Sequence, residues 1–356
     1  MFSVSVWPKV SIVVVNYNGL SSLGSLLYRC LKSLLSTDYP DFEVIFVDNA
    51  SNDNSVEYVK KSFSDCRLKA LKLDRNLMYL GGLEEGARAA DEFSKYLVFM
   101  NNDVVVTSSW LKELIGVMER DEGVGVACPS VLNFDGSLQW TGLFVDRFLF
   151  SYVMKSSVNK IFLASAPCGP VYVIRRSLAA GRTLFDRKLV IYREEEYVGH
   201  VVWLKGFKIV YVPTVVVYHH VGSTISKYSK PTFRFHFYKN ELYLLFKFGD
   251  PLSIVGGLLL RLTRLPILAV ACIMRKRETE YVIEYLRATR WLFKNGKKIV
   301  RYRGKSMFYL PSKYSLLRAI YPSVGECMLL KYLEKEIRNG RLGDPVAKYG
   351  FSSKSF

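Results

Sequence analysis

Amide and carboxylate side chains follow three apolar runs in the first third of the chain. The three polar clusters are Asn16–Gly19, Asp48–Asp53 and Asn101–Asp103. Ligands of open α/β sheets bind beyond the carboxyl ends of parallel strands, so we expect the three clusters to form one shared site. Groups rich in oxygen and amide nitrogen suit a nucleotide and a hard cation better than an apolar ligand.

Asp48 and Asp103 are carboxylates with candidate roles in such a site. Asp48 can accept a hydrogen bond from the N3–H group of a uracil or thymine ring. The alternative is a turn and helix cap before a helix predicted over 55–63. Asp103 can ligate Mg²⁺ or Mn²⁺, which bridges diphosphates and neutralises the charge on a departing diphosphate. The alternative for Asp103 is an ordinary polar turn.

Two later groups of side chains can complete the chemistry. Glu194, Glu195 and Glu196 begin a predicted helix, where acidic residues favour the macrodipole. The functional interpretation is a general base that deprotonates a hydroxyl, since neighbouring carboxylates raise one another's pKa. His219 and His220 end a predicted strand, and adjacent strand residues point to opposite faces, so only one can join the site. That histidine is either a metal ligand or a packed side chain.

The segment from Arg75 to Gly82 is predicted to be a loop that leads into a helix. Gly81 and Gly82 would permit close approach of the backbone to a ligand, and a helix N-terminus attracts anions. The segment is neither a Walker A loop nor a dinucleotide-binding fingerprint, because both glycine patterns are incomplete.

The elements that must position these residues alternate between strand and helix in the first half of the chain. This alternation predicts a mostly parallel sheet with helices on both faces. The predicted strands cover 10–15, 41–47, 67–73, 96–100, 124–129, 170–175, 208–212 and 215–219. The predicted helices cover 23–35, 55–63, 83–93, 109–120 and 194–205.

Composition limits the class of protein. Half of the 356 residues are hydrophobic, which excludes global disorder. The six cysteines are scattered without a C-x-x-C pair, which argues against a zinc ribbon or a disulfide scaffold and favours a reducing compartment. No basic segment with a long apolar run follows Met1, so we expect no signal peptide.

Positive charge is concentrated in the C-terminal third. The formal net charge is +18, and residues 231–356 hold 24 Lys and Arg against 9 Asp and Glu. Such a basic, aromatic segment suits an anionic membrane surface or nucleic acid. The alternative for the charge excess is an ordinary solubilising surface. The apolar runs Leu252–Leu260 and Leu265–Met274 are interrupted by Arg261 and Arg264, so we expect helices in the membrane interface rather than a spanning helix. The alternative is a buried helical hairpin.

The order of these motifs resembles the family 2 glycosyltransferases of the GT-A fold, particularly the rhamnosyltransferase-like branch. The resemblance covers about residues 9–245. The matching segments are Val10–Gly19, Val47–Asp53, Asn76–Gly82, Asn101–Asp103, Cys168–Pro170, Tyr192–Tyr197, Val216–His219 and Lys239–Asn240. Four positions depart from the family pattern: Met78 replaces a glycine, Leu80 an alanine, Glu195 an aspartate and Tyr197 a second aspartate.

The resemblance implies a role for each matching residue. The nucleotide would be bound by Asn16, Asp48, Asn76 and Asn102, with Gly81 and Gly82 in a donor loop. Asp103 and His219 would hold Mg²⁺ or Mn²⁺, and Glu195, beside Glu194, would be the catalytic base.

Together these observations predict a GT-A domain over 1–245 and a basic helical region over 246–356 that associates with a membrane. The predicted reaction is inverting transfer of a sugar from a nucleotide-diphosphate sugar to a glycan or lipid-linked acceptor hydroxyl. We expect a protein peripheral on the cytoplasmic face of a membrane, without nucleic acid as a partner. The alternatives are an inactive relative that binds nucleotide or glycan, a nucleotidyltransferase, and a nucleic-acid-binding protein.

Overall fold

The computed structural model describes residues 6–179, 184–220, 230–263, 279–299, 309–310, 322–340 and 342. The strands are β1 (Val10–Asn16), β2 (Phe42–Asp48), β3 (Leu68–Lys72), β4 (Tyr96–Asn101), β5 (Val104–Val106), β6 (Val124–Leu132), β7 (Leu138–Trp140), β8 (Gly142–Asp146), β9 (Ser151–Met154), β10 (Phe162–Leu163), β11 (Val171–Arg175), β12 (Lys208–His219) and β13 (Tyr309–Leu310). The helices are α1 (Gly19–Leu23), α2 (Ser25–Leu35), α3 (Ser55–Ser62), α4 (Met78–Ala89), α5 (Trp110–Arg120), α6 (Arg176–Ala179), α7 (Glu194–Leu204), α8 (Lys230–Phe248), α9 (Pro251–Leu262), α10 (Thr279–Asn295) and α11 (Pro322–Arg338).

The large sheet has the strand order β10-β12-β6-β11-β4-β1-β2-β3, with β5 paired to β12 and β7 to β6. Strands β3, β2, β1 and β4 are parallel, as alternation of strand and helix predicts. Strand β11 runs antiparallel to both β4 and β6, while β6 and β12 are parallel. The sheet is therefore mixed. The continuous parallel block β3-β2-β1-β4 comes from the part of the chain in which helices separate the strands. A second sheet has the order β13-β8-β9.

The register of β1 with its two neighbours brings the polar strand ends together. Asn16 pairs with Asp48 across β1 and β2, and Val15 pairs with Asn101 across β1 and β4. All residues of β1 and β2 are buried, which explains why both strands are largely continuous apolar runs. The prediction that the three polar clusters meet at one edge of the sheet is confirmed.

The predicted loop around Gly81 and Gly82 is wrong, because both glycines lie buried inside α4. A Cβ atom at Gly82 would lie 2.8 Å from Val15 Cγ1, and one at Gly86 would lie 2.2 Å from Val13 Cγ1. The glycine at 82 therefore allows α4 to pack closely on β1, as Gly86 does one turn later. The backbone at both glycines is helical, and Gly82 contacts the sheet, whereas a Cβ atom at Gly81 would meet Leu77. Contact of the two glycines with a donor stays a prediction.

Two further element boundaries differ from the predictions. The helix predicted over 23–35 is split at Gly24, whose φ of 55° interrupts the helical backbone between α1 and α2. The two strands predicted on either side of Pro213 form one strand, β12. Its pairing with β6 shifts register between Val212 and Val216, so Pro213 sits where no ladder hydrogen bond is required of it.

The C-terminal helices contact the sheet domain at several points. Asn240 of α8 donates to Leu189 O, Arg261 of α9 donates to Phe148 O, and Glu334 of α11 accepts from Ser156. Helix α8 continues across the predicted boundary between residues 245 and 246, and α10 packs along it. Leu252–Leu260 lies in α9, whereas Leu265–Met274 lies outside the described residues. Among the helices that the structure describes, none has both the length and the apolar character needed to cross a membrane.

Candidate functional site

The ends of β1, β2 and β4 are joined by a buried network of side chains. Asn16 Nδ2 donates to Asp48 Oδ1 over 2.9 Å, and Asn102 Nδ2 donates to Asn16 Oδ1 over 2.7 Å. Ser51 donates its backbone N–H to Asp48 Oδ2 and its hydroxyl to Asp48 Oδ1. Asp48 is fully enclosed, so these internal bonds hold the strand ends in place. Contact between Asp48 and a nucleotide base stays a prediction.

The segment before α4 is held against the end of β2 by Asn49. Its side-chain Nδ2 donates to Asn76 Oδ1 and Met78 O, and its Oδ1 accepts from the backbone N–H of Leu77. Met78 has a φ of 61°, a left-handed conformation that favours glycine. Asn49 therefore holds Asn76 next to the strand-end network, in a role that sequence reasoning missed.

Asp103 directly precedes β5, and His219 is the last residue of β12. Because β5 pairs with β12, the two side chains face one another. Asp103 Oδ1 is buried, makes no hydrogen bond, and lies 3.2 Å from His219 Nε2. His219 Nδ1 lies 2.6 Å from Gln139 Oε1. The amide nitrogen of Gln139 donates to Asn133 Oδ1 and to the backbone oxygen of His219, which fixes the orientation of the amide. The Nδ1 atom therefore carries the proton, and in neutral His219 the Nε2 lone pair faces the carboxylate.

This pair fits a divalent cation. Two neighbouring ligands of an octahedral ion, each at about 2.1 Å, lie about 3.0 Å apart. The observed separation is close to that value, and both atoms present lone pairs. The described residues contain no group of three or more His, Cys, Asp or Glu side chains that could hold a metal by themselves. A cation here would need further ligands from a substrate or water.

Histidine 220 does not join this pair. Its ring centroid lies 6.4 Å from that of Phe134, and its backbone N–H donates to Asp103 O. The two adjacent histidines thus face different surroundings, as alternation along a strand requires.

Glu194 and Glu195 begin α7 and carry two of the most perturbed carboxylates in the part of the chain that the structure describes. Glu194 Oε2 is buried without a hydrogen-bond partner. Burial raises the pKa of Glu194, and burial together with the charge of Glu194 raises the pKa of Glu195 well above its usual range. Glu196 differs, because Ser151 and Arg193 both donate to its Oε1. Burial therefore favours the protonated form of two of the three glutamates.

Tyr79 and Gly169 connect this carboxylate pair to the rest of the site, and sequence reasoning missed a role for both. The Tyr79 hydroxyl donates to Asn101 Oδ1, and its pKa is raised first by burial and then by the charges of Glu194, Glu195 and Asp103. A Cβ atom at Gly169 would lie 2.3 Å from Glu195 Oε1. Only the absence of a side chain at 169 leaves room for that carboxylate oxygen.

The backbone that enters α7 is strained and is held by α8. Val190, Tyr192 and Arg193 all have φ values between 65° and 67°, which is costly for residues with a Cβ atom. Asn240 is fully buried, and its Nδ2 lies within 2.8 Å of three carbonyl oxygens, those of Leu189, Ile191 and Tyr192. Asn240 therefore stabilises the turn that places Glu194 and Glu195.

The structure brings most of the predicted site residues to one edge of the sheet. Asn16, Asp48 and Asn102 share one network, Asp103 and His219 form a pair, and Tyr79 lies in the field of Asp103 and both glutamates. Gly81 and Gly82 belong to the packing of α4 instead. Tyr197 stands where the family pattern has a second aspartate, and it is buried against Phe248, with ring centroids 5.6 Å apart.

Comparison with known proteins adds an independent line of evidence. Residues 11–178 match the family model described as glycosyl transferase family 2. The chain is 35% identical over 146 residues to the O-antigen biosynthesis protein RfbC of Myxococcus xanthus, covering 40% of this chain and 11% of that protein. It is 24% identical over 239 residues to an N-acetylglucosaminyltransferase of Rhizobium meliloti (strain 1021), covering 64% and 54%. The chain thus spans about half or less of the length of these relatives.

Solved structures show likeness of fold. The crystal structure of residues 1–349 of S. aureus TarS has a TM-score of 0.53 at 17% identity and covers 93% of this chain and 92% of that chain. GalNAc-T7 with UDP, GalNAc and Mn²⁺ has a TM-score of 0.53 at 18% identity, covering 67% and 48%. These likenesses are consistent with the GT-A fold that the motifs predict. Residues 11–178, which contain the whole strand-end network and Asp103, are similar to the family 2 glycosyl transferases.

Proposed function

We propose that this protein is a metal-dependent, inverting glycosyltransferase of family 2 that moves a sugar from a nucleotide-diphosphate sugar to an acceptor hydroxyl. The observation that carries the proposal is the pairing of Asp103 Oδ1 with the Nε2 lone pair of His219 beside the strand-end network. The family match over residues 11–178 supports the same reaction class. So does the fold likeness to TarS, which has a crystal structure in complex with UDP-GlcNAc.

Asp103 and His219 would hold Mg²⁺ or Mn²⁺ by one carboxylate oxygen and one imidazole nitrogen. Oxygen atoms of the donor diphosphate and water would complete the coordination. When bound, the cation supplies Lewis-acid stabilisation of the negative charge on the departing diphosphate. Gln139 keeps the His219 ring in the orientation and tautomer that this role requires.

Glu195 would accept the proton of the acceptor hydroxyl as that oxygen attacks the anomeric carbon. The bond from this carbon to the diphosphate breaks in the same displacement, so the configuration inverts and a nucleoside diphosphate leaves. A raised pKa suits a general base, which works best when its pKa lies near the operating pH. Glu194 contributes the neighbouring charge that helps to set it.

The nucleotide would lie over the network of Asn16, Asp48, Asn76 and Asn102. Asn16 is hydrogen-bonded to both Asp48 and Asn102, and Asn76 accepts a hydrogen bond from Asn49. A preorganised set of amides requires no rearrangement when a ligand binds, which favours binding. The rhamnosyltransferase-like branch is also part of this proposal.

For the acceptor we propose a hydroxyl on a lipid-linked glycan at the cytoplasmic face of a membrane. The basic C-terminal third supports this acceptor, and so does the relative that is named as an O-antigen biosynthesis protein. That name describes the relative, and its assembly pathway comes to this chain only as a proposal. The expectation that nucleic acid is not a partner also stays a prediction.

A hydrolysis screen over a panel of nucleotide sugars with Mn²⁺ tests the proposal, because many glycosyltransferases transfer some sugar to water. We expect metal-dependent release of one nucleoside diphosphate and its loss in Asp103→Ala. Asp38→Ala is the matched control, since Asp38 is an exposed surface carboxylate. Gln139→Leu should weaken Mn²⁺ binding, measured by titration calorimetry with UDP present, by about 10- to 100-fold.

Other outcomes would redirect the proposal. Release of diphosphate in place of a nucleoside diphosphate would identify a nucleotidyltransferase. If folded protein releases no nucleoside diphosphate from any donor in the panel, even with lipid-phosphate acceptors present, an inactive relative that binds nucleotide would be favoured.

A further inference from the structure

Helix α9 presents an apolar surface to the outside of the protein. Leu252, Val255, Leu259 and Leu262 recur every three or four residues and are 54–72% exposed. This spacing places all four side chains on one face of the helix. Thr263, directly after the helix, and Pro251 are the other exposed residues of this segment, so the exposed face of α9 carries no charge.

The charged residue of α9 points the other way. Arg261 is fully buried, and it donates to Phe148 O, Leu149 O and Glu241 Oε1 over 2.9–3.2 Å. A helix with leucines outside and arginine inside is inverted relative to a helix that faces water. This burial also removes the cost that Arg261 would impose on contact with lipid, because the guanidinium group faces the protein.

Helix α10 presents a face that is both apolar and basic. Ile283, Leu286 and Phe293 are 52%, 55% and 84% exposed. On the same face, again at spacings of three or four residues, are Arg287, Arg290 and Lys294, and Lys297 and Lys298 follow directly. In the part of the chain that the structure describes, Arg290, Lys294, Lys297 and Lys298 have no ion-pair partner. The opposite face packs on α8, where Tyr285 contacts Tyr238 with ring centroids 5.2 Å apart.

We propose that the outer faces of α9 and α10 bind the surface of an anionic phospholipid bilayer. The aliphatic side chains of α9 would enter the boundary of the acyl chains, and the cations of α10 would lie among the headgroup phosphates. No helix in the described part of the chain is long and apolar enough to span a membrane, so the proposal places α9 and α10 along the surface.

Charge distinguishes a bilayer from a second copy of this chain. A symmetric contact through α10 would bring its unpaired cations near those of the partner, which is unfavourable. An anionic lipid surface complements the same cations, and residues 231–356 carry an excess of 15 positive charges. The α9 face offers no polar group for specific recognition, which suits fluid hydrocarbon better than a protein pocket.

The inference rests on the proposed function, because the proposed acceptor is lipid-linked and a membrane surface would bring the candidate active site close to it. Its test does not depend on transfer, since vesicle binding is measured without donor or acceptor. Failure of binding with normal hydrolysis of donor would overturn the membrane surface alone. Binding without any hydrolysis would overturn the enzyme assignment alone.

The experiment is co-sedimentation of the full chain with vesicles of phosphatidylcholine, or of equal parts of phosphatidylcholine and phosphatidylglycerol. We expect binding to the anionic vesicles that falls as salt increases. Arg290→Ala with Lys294→Ala should weaken it roughly thirtyfold, since each cation near an anionic surface contributes a factor of about five. Leu252→Ser with Leu259→Ser should also weaken it at least tenfold.

Matched controls separate this surface from general effects of charge or apolarity. Lys60→Ala with Lys61→Ala removes two exposed cations from α3, and Phe93→Ser removes a side chain that is 80% exposed. Both should bind like the wild type. Equal loss in the controls, or wild-type binding by the α9 and α10 variants, would overturn the proposal. A dimer in sedimentation equilibrium that dissociates on Leu259→Ser would also overturn it in favour of a second copy.

Discussion

Alanine at position 169 tests whether the carboxylate of Glu195 must keep its present position. A Cβ atom there would lie 2.3 Å from Glu195 Oε1, whereas ordinary contacts begin near 3.4 Å. The backbone at Gly169 is not left-handed, so alanine is tolerated by the main chain. The other close neighbour, Trp140 Cη2, is at 3.5 Å and need not move.

The expected effect is on catalysis and not on folding. Because the clashing atom is the end of a flexible side chain, the carboxylate can shift by about 1 Å at a stability cost of about 1 kcal/mol or less. A displacement of about 1 Å at a catalytic group can lower kcat about 100-fold, which corresponds to about 2.7 kcal/mol in activation free energy. The KM for the donor should change little, because the nucleotide network lies elsewhere.

The assay is release of nucleoside diphosphate from the donor that the screen identifies, with and without acceptor. Gly116→Ala is the matched control, since the nearest atom to its added Cβ is 3.9 Å away. The variant Glu195→Asp, one methylene shorter, should partly restore activity in the Gly169→Ala background, so that the two changes are not additive. Wild-type kcat in Gly169→Ala, or strictly multiplicative losses in the double variant, would refute a fixed role for the Glu195 carboxylate.

Three other perturbations follow from the same contacts. The pKa of Glu195 is raised first by burial and then by the charge of Glu194, which Glu194→Gln removes. The acid limb of the kcat–pH profile should therefore move to lower pH in this variant. A limb that stays in place contradicts this coupling. Asn240→Asp replaces an amide donor by a carboxylate oxygen, which can only accept, opposite three carbonyl oxygens. This variant should lower the free energy of unfolding by about 3 kcal/mol in urea titrations. Gly86→Ala should cost about 1–3 kcal/mol by overpacking, whereas Gly116→Ala should leave the Tm nearly unchanged.

Local sequence determined the core of the fold and the position of the strand-end network. Strands β1, β2 and β4 are buried on both faces, so apart from Ser11 and Glu43 their residues are apolar until the strand ends, where polar residues follow. This rule is visible in any window of six residues or so, and it correctly located Asn16, Asp48 and Asn102. The start of α7 at Glu194 was also predictable from local sequence, because acidic residues in the first turn favour the helix dipole.

Glycines and leucines were harder to interpret because one residue type serves opposite purposes. Gly81 and Gly82 could equally indicate a loop or a helix, and only the tertiary structure shows that both lie in α4 and that Gly82 packs on Val15. In α9 the pattern shows leucines and an arginine on different faces, but periodicity does not reveal which face is outside.

Tertiary structure alone decided the chemistry between distant segments. Asp103 meets His219 because β5 pairs with β12, and Gln139 reaches the same imidazole because β7 pairs with β6. Gly169 makes room for Glu195 across another long separation in the chain. No local pattern encodes these contacts, because they depend on which strands become neighbours in the sheet. That arrangement is selected by the packing of the whole domain.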